Sequence, residues 1–169
     1  MSTPSSGSGL KTFTAVIAVI FGLVLLIGGI YLAVLGGSWY YIIAGLLFIA
    51  TAVLLQKLKS TALIVYALLV LGTVVWGLWE VGSDFFALAP RLDILGLFGL
   101  WLLIPAVTRG FDNAKSAKLV LTGSLAITIA VMIYAVFNDP QEIRGELSSK
   151  QPATAQSIPG VADGDWPAY

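Results

Sequence analysis

"FTAVIAVIFGLVLLIGGIYLAVL", Phe13 to Leu35, settles what kind of protein this is before any motif is sought. The run is about 23 residues long and uncharged, and about 20 apolar residues in a helix cross the hydrocarbon core of a bilayer. A signal-peptide core is only about 7–15 residues, and here a second apolar run follows almost at once. The stretch therefore reads as an anchor, not a cleaved signal.

The same pattern recurs outward from it. The turn GGSW (Gly36 to Trp39) leads to a second run over about 39–55, and QKLKS leads to a third over about 62–79. A shorter fourth run covers about 94–107, RGFDNAKSAK intervenes, and a fifth covers about 119–137. Apolar residues make up 58% of the chain and charged ones 11%, against about 45–50% and 25% in a soluble domain. The expected fold class is an all-α integral membrane protein, a bundle of five transmembrane helices over 13–137. A polar tail, 1–12, precedes it. An extended linker, 138–169, follows, polar and broken by prolines. The small residues Gly29, Ala33 and Gly37, the series Thr122, Ala126 and Ala130, and the pairs Ala18/Gly22 and Thr73/Gly77 recur every four residues, a spacing that lets helix backbones approach.

Lys and Arg give the orientation, because they concentrate in cytoplasmic loops. Lys11, Lys57, Lys59, Arg109, Lys115 and Lys118 fall in the segments on one side of the expected bundle, and the short loops on the other side hold Arg91 alone. The N-terminus is thus expected in the cytoplasm and the C-terminus outside, in the periplasm of a Gram-negative cell.

Several chemistries are excluded. The chain has no Cys and no His, which removes disulfides, thiolate metal sites, iron–sulfur clusters and haem held by histidines. A net charge of zero gives no case for nucleic acid. No phosphate loop, nucleophile motif or metal constellation is present. A transporter is disfavoured, since the charges lie at span ends and no internal repeat is evident.

One segment concentrates what chemistry remains: WGLWEVGSDFFALAPRLD, Trp76 to Asp93, at the expected outer boundary. Trp76 and Trp79 share a helix face, and with Phe85 and Phe86 they form either an interfacial aromatic belt or a flat surface for a quinone ring. Glu80 reads as a snorkelled helix-end residue or as a carboxylate turned toward the bundle beside a proton-coupled ligand. SDFFALAP is expected to lie along the membrane surface and to end at Pro90, with Asp93 capping the fourth span. Arg91 would pair with Asp84 or Glu80. Trp76, Trp79, Glu80, Asp84, Phe85, Arg91 and Asp93 are the candidate quinone or docking face. Trp101, Pro105 and Tyr134 read as packing or kink residues.

Extended to GTVVWGLWEVGSDFFALAPRLDILGLFGLWLLIP (Gly72 to Pro105), this segment closely resembles the membrane domain of the quinoprotein glucose dehydrogenases. GGSWYYIIAGL (Gly36 to Leu46), FNDPQEIRGELS (Phe137 to Ser148) and DWPAY (Asp165 to Tyr169) resemble it too, in order and spacing. The resemblance implies an inner-membrane enzyme with five N-terminal spans and a periplasmic β-propeller. That propeller binds pyrroloquinoline quinone (PQQ) with Ca²⁺ or Mg²⁺ and oxidises D-glucose to gluconolactone. Electrons pass to ubiquinone and on to the respiratory chain. This chain stops at Tyr169, where the propeller of such an enzyme would begin, so no catalytic residue and no PQQ or metal ligand is carried over. The expected role is the membrane anchor and quinone-side domain. The alternatives are the small membrane subunit of a two-subunit PQQ polyol dehydrogenase, or a structural anchor without a quinone site. The expected partners are the lipid bilayer, the propeller and ubiquinone.

Overall fold

The computed structural model describes residues 6–138, with side chains from residue 9 onward. Among the described residues are six helices and no strand: α1 (Ser6–Val34), α2 (Tyr40–Gln56), α3 (Thr61–Val81), α4 (Phe85–Leu102), α5 (Pro105–Thr108) and α6 (Ala114–Phe137). The linker expected over 138–169 lies outside the described residues except for Asn138. At the other end, α1 begins at Ser6, within the expected tail. Four of these helices, α1, α3, α4 and α6, are long and apolar enough to cross a membrane, and α2 is a shorter apolar helix.

The turns are built from local chemistry. α1 closes in a Schellman motif, with Gly36 left-handed (φ +82). The N–H of Gly36 donates to the Ala33 carbonyl and that of Gly37 to the Leu32 carbonyl. α2 closes in the same way on a non-glycine residue, Leu58 (φ +56), whose N–H donates to the Leu55 carbonyl. Tight turns make consecutive helices antiparallel neighbours. They also place the Lys-bearing turns at one end of the bundle and the α3–α4 turn at the other.

The fourth span departs from expectation. In place of a surface segment followed by a run from 94 to 107, one 18-residue helix starts at Phe85 and passes straight through Pro90. Asp84, and not Asp93, is its N-cap, the carboxylate accepting from the Ala87 N–H at 3.1 Å. Proline here removes one helical hydrogen bond, a loss that packed membrane helices tolerate. At its far end α4 stops before Ile104, and Pro105 opens α5 as its first residue.

Packing is tightest between α1 and α2. A Cβ on Gly45 would lie 2.7 Å from the Gly22 carbonyl oxygen and 2.7 Å from Leu26 N, and one on Gly29 would lie 2.7 Å from Ile42 N. The two backbones touch, as expected for Gly22 and Gly29 from their spacing. The second small-residue series does something else: Thr122, Ala126 and Ala130 are exposed, and α6 packs instead through Leu121, Ser124, Leu125 and Thr128. At mid-bundle, Phe21, Phe48, Tyr66 and Phe98 interlock with ring centroids 5.4–6.3 Å apart. The Tyr66 hydroxyl, fully buried, donates to the Leu95 carbonyl at 2.7 Å. The outward surface is apolar nearly all round, with Ile27, Val34, Val75, Leu97, Leu119 and Phe137 each more than half exposed. Water would not tolerate so large an apolar surface, whereas lipid does.

Candidate functional site

The candidate residues gather at the end of the bundle that holds the α3–α4 turn, but they do not form one face. Trp76 and Trp79 meet on α3 with ring centroids 4.9 Å apart. Trp79 is three-quarters exposed, as an aromatic belt residue would be. Trp76 turns inward and stacks on Tyr40 of α2, 5.6 Å away and nearly parallel. Its indole N–H is buried and has no hydrogen-bond partner among the described residues.

Glu80, near the end of α3, meets Arg91 of α4 with 3.3 Å between Oε2 and Nη2. Of the two expected partners for Arg91, the structure selects Glu80. The other guanidinium arm donates to the Ala87 carbonyl, one turn back along α4. Both side chains of the ion pair are about a third exposed, so the pair is worth only about 0–1 kcal/mol. Its effect is to neutralise both charges and to fasten α3 to α4.

The remaining candidates face elsewhere. Asp84 is committed to its cap. Phe85 packs beside Val74, Leu88, Leu92 and Ala135, while Phe86 is exposed. Asp93 is exposed and lines a shallow apolar groove between α4 and α6, away from the tryptophans. The role expected for it, capping the fourth span, is overturned because the helix begins at Phe85, well before it.

Two residues that the sequence did not single out join the site. The Tyr40 hydroxyl hydrogen-bonds Thr73 Oγ1, and Thr73 in turn donates to the Leu69 carbonyl at 2.7 Å. Thr73 was legible only as half of a small-residue pair. Tyr40 lay inside GGSWYYIIAGL with nothing in its spacing to mark it. At the opposite end, the Trp101 indole N–H donates to Thr14 Oγ1 at 3.0 Å, joining α4 to α1. Trp101 is a packing residue, as its position suggested.

The chain's exit is also fixed here. Ser83, in the α3–α4 turn, donates from Oγ to the carbonyl of Asn138 at 2.8 Å. The end of α6 therefore sits against the turn that carries Asp84, three residues beyond Val81.

Among the described residues no group of three His, Cys, Asp or Glu side chains gathers where it would hold a metal ion. Nor does this site fit pyrroloquinoline quinone: that cofactor carries several carboxylates and a cation, and the cationic side chain at this end among the described residues, Arg91, is already neutralised by Glu80.

An apolar-surfaced helical bundle with a polar, aromatic cluster at one end and no catalytic constellation among the described residues defines a multi-pass membrane module. Comparison with known proteins then gives its kind. The chain is 62% identical over its full length to quinoprotein glucose dehydrogenase A of Acinetobacter calcoaceticus, covering 21% of that protein. It is 51% identical, over 95% of its length, to the quinoprotein glucose dehydrogenase of Escherichia coli strain K12, covering 20% of it. A glycerol dehydrogenase small subunit from Gluconobacter thailandicus is 37% identical over 59% of the chain, which covers 81% of that subunit. No family model matches the chain, and no solved structure does. The chain is homologous over its full length to the N-terminal part of the quinoprotein glucose dehydrogenases. It spans about a fifth of the length of the glucose dehydrogenases it matches.

Proposed function

We propose that this chain is the membrane anchor and quinone-side domain of a PQQ-dependent glucose dehydrogenase of the inner membrane. It crosses the bilayer five times, with its N-terminus in the cytoplasm and its C-terminal side in the periplasm. The α2 helix makes the fifth crossing: its 17 residues reach about 25 Å, and the Trp39 and Lys57 flanks extend into the interfaces. A periplasmic propeller carries PQQ and its metal ion, oxidises D-glucose to gluconolactone, and passes electrons to ubiquinone beside this bundle.

The observation that carries the reading is the Ser83–Asn138 hydrogen bond. It ties Asn138 to the α3–α4 turn, so α6 ends at the same end of the bundle as Trp76, Trp79, Glu80, Asp84 and Arg91. A docked domain there has short access both to the membrane surface and to the mouth of the bundle.

The test is to replace residues 1–138 of the full-length dehydrogenase with unrelated spans of the same topology. Glucose oxidation with a soluble artificial acceptor should persist while ubiquinone reduction is lost. Retention of ubiquinone reduction would reduce the chain to a structural anchor. The likeness to a glycerol dehydrogenase small subunit supports a second reading, a separate membrane subunit that partners a polyol dehydrogenase. The intact mass of the polypeptide recovered from native membranes separates the two. A mass several times that of this chain supports the single-chain enzyme.

A further inference from the structure

α1 and α4 are joined at the Lys-rich end and part toward the other. Trp101 bonds to Thr14, and Phe21 meets Phe98 at 6.3 Å near mid-bundle. Above that contact lies a cavity of about 480 Å³ between α1, α2 and α4. Its floor is Phe21 and Phe48, and Tyr40 and Tyr41 stand over it. Val24 and Ile94, both more than half exposed, form the rim facing lipid. Arg91 and Thr73 supply polar atoms to the lining. Cavities of about 300–1,000 Å³ with apolar walls and a few convergent polar groups are typical small-molecule sites.

The polar groups restrict what fits. Thr73 gives its hydrogen to the Leu69 carbonyl, so the Tyr40 hydroxyl is the donor in their bond and its oxygen keeps acceptor capacity. Arg91 engages Glu80 with one arm and the Ala87 carbonyl with the other, and a guanidinium fork has five N–H donors in all. Glu80 beside it opposes an anionic head such as a phosphate. The site thus suits a neutral head that presents a carbonyl to Arg91 and, when reduced, a hydroxyl to Tyr40. Aromatic walls suit a flat ring, and the rim suits one long apolar tail. A sugar has too many hydroxyls for this lining.

We infer that the α1–α4 cleft seats the ring of a membrane quinone, its tail leaving over Val24 and Ile94 into the bilayer. This rests on the quinone-side reading above and gives that role a place different from the tryptophan face. Trp76 then acts by bracing Tyr40, on which it stacks, rather than by holding the ring.

The experiment uses the full-length dehydrogenase in native membranes and a short-tailed azidoquinone, with the photolabelled peptides identified by mass spectrometry. Label is expected on α1, α2 and α4 around the cleft. It should fall about tenfold or more in Ile94→Trp, which closes the mouth, and in the double variant Glu80→Gln/Arg91→Met, which removes the donor without orphaning a charge. Gly123→Trp, on a face of α6 where nothing lies within 4 Å, should label normally. Thermal unfolding of each variant separates a closed cleft from a misfolded bundle. Label elsewhere in this chain, unaffected by Ile94→Trp, overturns the cleft and leaves the quinone-side role standing. Label confined to the rest of the enzyme overturns both. Equal displacement of the probe by excess phospholipid makes the cleft a lipid seat and overturns the proposal.

Discussion

The two ends of this bundle are built on different plans. From mid-bundle toward the Lys-rich end the helices are locked: Gly22 and Gly45 bring α1 and α2 backbone to backbone, four aromatic rings interlock, Tyr66 is tied to α4, and Trp101 ties α4 to α1. Toward the α3–α4 turn α1 and α2 still touch at Gly29 and Ile42, but α2, α3 and α4 are held by an ion pair that is about one-third exposed, a hydroxyl relay and a stacked ring pair, and a cavity is left between α1, α2 and α4. The difference teaches where each end gets its stability. Close packing and buried hydrogen bonds hold the first. Beyond the α1–α2 contact, the second is held by weaker, exchangeable polar contacts, as the proposed ligand entry and domain docking would require.

Breaking the packed half should have the largest effect. Gly45→Leu drives a side chain into the Gly22 carbonyl and the Leu26 backbone, and even Gly45→Ala should cost about 1–3 kcal/mol because backbone cannot move aside. Gly123→Ala meets nothing within 4 Å and should be near neutral. Thermal unfolding in detergent compares the pair, and equal losses would contradict the seam. Tyr66→Phe is next. It leaves the buried Leu95 carbonyl without this donor and should cost about 1–2 kcal/mol by the same measurement.

Smaller effects sharpen the contrast. Trp101→Phe removes the bond to Thr14 and should cost about 0.6 kcal/mol, the average for hydrogen bonds between membrane helices. Glu80→Gln should change stability by no more than about 1 kcal/mol, since the pair it breaks is partly solvated. A large loss there would mean that the open end is as rigid as the closed one.

How much of this was legible in the sequence differs by element. The apolar runs of α1, α3 and α6 were readable because an uncharged stretch of about 20 residues has one reading in a chain like this. The close approach of Gly22 and Gly29 was also readable. Thr122, Ala126 and Ala130 have the same spacing but face outward, because spacing states what backbone approach is permitted, not which face is used. α4 was misjudged through Pro90. A proline read as a stop sits inside the helix, and the cap that starts the helix is Asp84, nine residues before Asp93. At the site, Glu80 stood out through the cost of a carboxylate near lipid, Arg91 as an expected ion-pair partner and the tryptophans through their shared helix face. Tyr40 and Thr73 were not, since they come together only when α2 and α3 pack.

The central claim is that the α3–α4 turn and the chain's exit lie on the periplasmic face, opposite the Lys-bearing turns. The chain has no native cysteine, so single cysteines report cleanly. Intact spheroplasts carrying Ser83→Cys, Asn138→Cys or Lys57→Cys should be treated with a membrane-impermeant maleimide. The account predicts labelling at residues 83 and 138 from outside, and labelling at residue 57 only after lysis. Labelling of residue 57 in intact spheroplasts, with 83 and 138 protected, would invert the bundle and contradict the account.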